Sequence, residues 1–138
     1  MEIPKNLWRS FAKQRRFPLK QEQSLQVQKN LIVKIMIWNA NDTNDSRVVS
    51  HAYWRQLNNY GDLEARSGVY IFADVNKQVK YIGKAGARRM VLEIESALNR
   101  RKGYGATQVK ALYTNSDANA LSLERDLINK YNPPNNLV

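Results

Sequence analysis

Cysteine is absent from this 138-residue chain, and acidic residues are few beside basic ones. Without cysteine there is no disulfide framework and no thiolate metal site. No apolar run reaches the roughly 18 residues a membrane-crossing helix needs. The N-terminus lacks the apolar core of a signal peptide. The expectation from these absences is a cytoplasmic protein. A single histidine, His51, has no neighbours that complete a triad or a metal set, so a structural role is expected for it.

What is present is positive charge. Lys and Arg number 22 against 12 Asp and Glu, a net charge of +10. Residues 1–65 hold 10 basic and 6 acidic residues, and residues 66–138 hold 12 and 6. The charge is therefore spread along the chain, not gathered in a tail. Such a balance favours polyanions, with phosphate backbones the commonest kind. Hydrophobic content of 43% suffices for one buried core.

Residues 1–30 are polar and basic, with Lys13, Arg15 and Arg16 as a small cluster and Trp8, Phe11 and Phe17 as anchors. Residues 31–38 are β-branched and nearly all apolar, which predicts a buried strand. Residues 41–45 read as an exposed loop, and 48–60 as a short helix carrying Tyr53, Trp54 and Leu57, ended by Gly61-Asp62. From residue 66 the pattern sharpens. Strands are expected over 68–73, 79–83 and 108–114. Helices are expected over 87–101 and 118–131, the second capped by Asp117 and stopped by Pro133-Pro134. The fold class is then α/β (α+β), in the order β-β-α-β-α. A small, mainly antiparallel sheet of about three strands is flanked by helices. Residues 1–65 form a basic extension to a domain at 66–138.

Four features could carry chemistry. Gly68-Val69-Tyr70 and Tyr81-Ile82-Gly83 lie on the first two of these strands, so a hairpin could set tyrosines beside backbone without Cβ, where a phosphate can approach closely. Lys84, Arg88 and Arg89 follow as the hairpin leads into a helix, and arginine there could hold a phosphate. Arg100, Arg101 and Lys102 add positive charge at that helix's end. Glu124 falls within an arc of Ala120, Leu121, Leu127, Ile128 and Tyr131. An unpaired carboxylate there is costly. It could bind a hard divalent cation, pair with a buried arginine, or lean out at the sheet edge.

Together these residues resemble the GIY-YIG nuclease family. Gly68-Val69-Tyr70 and Tyr81-Ile82-Gly83 look like its two signature triplets, and the run from Ala120 to Asn136 looks like its closing motif. The resemblance implies Tyr70 as the base or water-positioning group with Tyr81 beside it, and Glu124 holding one Mg²⁺ or Mn²⁺. It implies an arginine of the first helix on the scissile phosphate, and Asn136 bracing the site by hydrogen bonds. Members commonly place that arginine ten residues after the first tyrosine of the second triplet. Here Val91 stands there, with Arg88 and Arg89 slightly early, and helical geometry favours Arg88. Gly83, Lys84, Arg100, Arg101, Lys102, Lys13, Arg15 and Arg16 are the expected nucleic-acid contacts. The implied reaction is cation-dependent hydrolysis of DNA phosphodiesters, in a restriction-like, phage or mobile-element setting, and the small size of the chain points to a homodimer for cutting duplex DNA. The alternative is a DNA-binding module with weak or no catalysis.

Overall fold

The computed structural model describes residues 37–137. Its centre is a five-stranded antiparallel sheet. The strands are β1 (Val48–His51), β2 (Arg55–Gln56), β3 (Gly68–Ala73), β4 (Val79–Ala85) and β5 (Gln108–Thr114). They lie in the order β1-β5-β3-β4, with β2 also paired to β5. Helix α1 (Met90–Asn99) covers one face, and helix α2 (Asp117–Tyr131) covers the other. Short 3-10 turns lie at Ala40–Asn44 and Pro134–Leu137.

This three-layer arrangement explains the apolar run at 68–73. Both faces of β3 are covered, so every residue of it is buried. Tyr70, Phe72, Ala111 and Tyr113 face α1, where Met90, Ile94 and Ala97 pack on them. Val69, Ile71, Ile82 and Leu112 face α2 and meet Leu123, Leu127 and Tyr131. The hairpin pairs Tyr70 with Gly83 and Phe72 with Tyr81. Its register slips after Phe72, leaving Lys80 as the extra residue.

The two signature strands, β5 and both helices form where the sequence pattern puts them, with differences at their ends. Helix α1 starts at Met90, not 87, and its cap is Arg89. Ser116, rather than Asp117, caps α2: its side chain accepts from the Asn119 amide at 3.1 Å. The stretch expected to be a loop at 41–45 begins within a 3-10 turn.

The helix expected over 48–60 does not form. Val48–His51 and Arg55–Gln56 instead pair with β5. The backbone groups along that edge of β5 need partners, and strand pairing supplies them. Tyr53, which that helix was to carry, is 83% exposed. The sheet thus runs across residue 65. Of the strand expected at 31–38, only Ile37 and Trp38 are described. Ile37 bridges Gln78, and Trp38 stacks on Tyr131 with ring centroids 5.3 Å apart. Residues 31–36 lie outside the described residues, as do Trp8, Phe11, Lys13, Arg15, Arg16 and Phe17.

Candidate active site

The glycines of the two triplets serve the packing of the protein itself. A Cβ on Gly68 would overlap the Leu112 carbonyl of β5. One on Gly83 would overlap the Tyr70 ring and hydroxyl. Gly83 is buried beneath that ring, which corrects the expectation that a nucleic-acid backbone reaches it. What the missing side chain provides is a channel: the Tyr70 ring crosses the neighbouring strand towards the outer edge of the sheet.

Tyr70 is 1% exposed. Burial pushes its hydroxyl far above the ordinary tyrosine range, and the charges of Glu93 and Glu124 add to this while Arg100 opposes them. In the free protein Tyr70 is therefore a neutral phenol. Its hydroxyl lies 3.4 Å from the Glu93 carbonyl, a long hydrogen bond. Tyr81 sits beside it with ring centroids 6.1 Å apart, and Phe72 completes the aromatic group at 5.4 Å from Tyr70. The Lys102 Nζ lies 5.9 Å from the centre of the Tyr81 ring, within the range of a cation–π contact.

Glu124 approaches from α2. The buried stripe of that helix is Ala120, Leu123, Leu127 and Tyr131, so Glu124 lies about 55° from its centre. It is half-buried on the flank of the stripe, not at its middle. The sequence arc omitted Leu123 and counted Leu121 and Ile128, which are only half-buried, and both choices moved the centre towards Glu124. Burial raises the carboxyl above its ordinary value. The charge of Lys84, a hydrogen bond from the Lys84 backbone N–H and the charge of Arg125 oppose that rise. No lysine or arginine among the described residues forms an ion pair with Glu124.

Asn136 lies beneath the strand that joins these groups. Its Oδ1 accepts from the Ile82 amide at 2.9 Å, and its Nδ2 donates to the Ile82 carbonyl at 2.8 Å. The side chain thereby closes the open edge of β4 between Tyr81 and Gly83. Asn135 was not singled out in the sequence. It donates to the carbonyls of Lys102 and Tyr104 at 2.8 and 2.9 Å.

The arginines differ from expectation. The helix begins after Arg88 and Arg89, so a helical projection does not apply to them. Arg88 is exposed with φ of 65°, in the left-handed region. Arg89 pairs with Glu93 at 3.0 Å. Val91 packs against the core on the α1 side. The cation felt at Tyr70 is Arg100, which follows α1 one residue past its end. Arg100 is seven residues beyond Glu93 and so lies on nearly the same side of the helix. The sequence pattern marked it only as a general DNA contact. Arg101 is exposed and left-handed, and the Lys102 Nζ donates to the Asn135 carbonyl at 3.4 Å. His51 lies on the opposite side of the sheet from Tyr70, its Nδ1 3.2 Å from the nearly buried Lys110 ammonium.

Comparison with known proteins agrees with the signature. Over 82 residues the chain is 40% identical to UvrABC system protein C of Rickettsia rickettsii and 42% identical to that of Rickettsia prowazekii. Each alignment covers 56% of this chain and 13% of the relative, so the chain spans a small part of those proteins. The GIY-YIG N-terminal endonuclease domain of UvrC from Thermotoga maritima, solved with its catalytic magnesium, is 32% identical with a TM-score of 0.45. That match covers 51% of this chain and 83% of the solved one. Residues 66–137 match the UvrC-like GIY-YIG domain, and the chain belongs to that GIY-YIG nuclease family.

Proposed function

We propose that this chain is a DNA endonuclease whose hydrolysis of phosphodiesters depends on a divalent cation at Glu124. The observation that carries the reading is the half-buried Glu124 carboxylate, close enough to the buried Tyr70 hydroxyl for its charge to be felt there. A partly dry carboxylate with oxygen sites left over suits a hard cation. Mg²⁺ commonly rests on one or two carboxylates and keeps several waters. Among the described residues no three His, Cys, Asp or Glu side chains gather. The ligands would therefore be Glu124, water and phosphate oxygens. Bound there, the cation supplies Lewis-acid stabilisation of charge on the phosphate.

The protein's own groups do the rest. Tyr70, neutral in the free protein, can accept a hydrogen bond from an attacking water while its proton points to the Glu93 carbonyl. The water oxygen bonds to phosphorus as the opposite P–O ester bond breaks; the water gives up its proton to solvent, and the leaving alkoxide oxygen takes one from solvent. Arg100 takes the place of the arginine missing at residue 91 and holds the phosphate. Lys84 offsets the charge of Glu124 until the cation arrives.

One observation favours the second reading, a binding module with weak catalysis: Val91 is packed where members commonly carry arginine. Plasmid nicking with Mg²⁺ or Mn²⁺ decides between them. The native chain should nick. Glu124→Ala should not, and Tyr70→Phe and Arg100→Ala should lose roughly a hundredfold or more. A native chain that binds plasmid but leaves it intact in both metals supports the binding module. Equal nicking by native protein and Glu124→Ala removes Glu124 from the mechanism.

A further inference from the structure

We propose that the loop at 100–105 is a stacking platform on which Tyr104 holds an unpaired base of a DNA strand beside the Tyr70–Glu124 site. The inference rests on the nuclease reading above. Tyr104 is 81% exposed, although the backbone that carries it is fixed from several sides. The Lys102 amide donates to the Ala97 carbonyl at 2.9 Å, and the Ala106 amide to Gly103 at 2.9 Å. Asn135 holds the carbonyls of Lys102 and Tyr104. A Cβ on Gly103 would come within 2.6 Å of the Leu98 side chain, and Gly105 has φ of 79°. Arg101, not a glycine, also sits at φ of 62°. The loop is thus held in one shape, with a left-handed arginine, and that shape presents an aromatic ring to solvent.

The chemistry of the loop matches an open nucleotide strand. Arg100 and Arg101 are exposed on the same loop, and cations that follow a phosphate backbone next to an aromatic face are the usual means of holding single strands. The loop is also registered to the site. Asn135 holds it, while the next residue, Asn136, holds Ile82 between Tyr81 and Gly83. A base on Tyr104 would therefore keep a set spacing from Tyr70. Within a duplex the faces of the bases are covered by their neighbours, so the ring selects DNA with an unpaired base, as in a single strand, gap or flap.

The test measures binding of the full chain to a labelled oligo-dT strand and to a duplex of the same length, by fluorescence anisotropy at low salt. Tyr104→Ala should weaken single-strand binding roughly five- to a hundredfold and change duplex binding far less. Tyr104→Phe should bind like the native chain. In Tyr104→Trp the indole emission should be quenched when the single strand is added. Melting temperatures of all three should match the native value, because the side chain is outside the core. Native-like single-strand affinity in Tyr104→Ala, equal loss on both DNAs, or an unquenched tryptophan overturns the platform. If any of these occurs while the native chain still nicks plasmid, the platform fails and the nuclease reading stands. A native chain that binds neither DNA ends both.

Discussion

Gly83 and Glu124 show how single residues set this site. Gly83→Ala places a methyl group inside the space of the Tyr70 ring, and overpacking of this kind costs about 1–3 kcal/mol. Its melting temperature should fall and its nicking should drop further than stability alone explains, because the hydroxyl is displaced. Circular dichroism melts beside nicking rates would show this. Glu124 has the opposite balance. Its folded-state pKa is raised, so the folded protein binds a proton more readily than the unfolded chain does. The resulting stability is present below the unfolded value near 4.5 and is lost as pH rises through the folded one. At neutral pH the ionised carboxylate is a net cost. Glu124→Gln should therefore melt at or above the native temperature at pH 7 without added metal, and should not nick; a lower melting temperature would contradict this account. Lys110 was not legible as a core residue. Burial and the charge of Lys77 lower its pKa, and it donates to the Ala52 carbonyl at 2.8 Å. Its position follows from β1 and β2 lying beside β5.

Elements are joined here by a few polar clips. Arg47, just before β1, pairs with Asp45 and reaches Asp126 of α2 at 2.8 Å and Ser122 at 3.1 Å. Its guanidinium pulls the Asp45 carboxyl down to about 2. That contribution is present above the unfolded value of 3.8 and is lost as pH falls through about 2. Arg47→Ala should lower stability by about 1 kcal/mol at pH 7, and the difference should shrink in acid melts near pH 2. At the far edge, Asn136→Ala leaves the Ile82 amide and carbonyl without their partner, at a cost of about 1–3 kcal/mol. It also opens β4 to pairing with other chains. Light scattering during a thermal ramp should show earlier aggregation than in the native protein. The strands β3 and β5 and both helices were legible because their patterns are long and local. The segment 48–60 was misread as a helix carrying Tyr53, Trp54 and Leu57, since Tyr53 and Leu57, four residues apart, can share one helix face. Its pairing with β5, about 60 residues away in sequence, decided otherwise.

For the whole molecule, the charge of +10 sets how binding depends on salt. If three cations of the site engage duplex phosphates, the slope of log affinity against log salt is near −2.7, about a fortyfold loss between 50 and 200 mM. Filter binding across that range tests it, and a flat response would mean that the charge serves no phosphate. The sequence by itself determined the family, through two triplets and a closing motif whose identities and order are local facts. It also determined the core strands and helices, because alternation and helical periodicity are written in consecutive residues. Only the tertiary structure decided what the glycines are for, since the Tyr70 ring and the Leu112 carbonyl come from neighbouring strands. Likewise, it alone brought the charge of Arg100 to bear on Tyr70, and joined the loop of Tyr104 to the edge of β4 through two adjacent asparagines. Such relations depend on distances between residues far apart in the chain, and no local pattern encodes them.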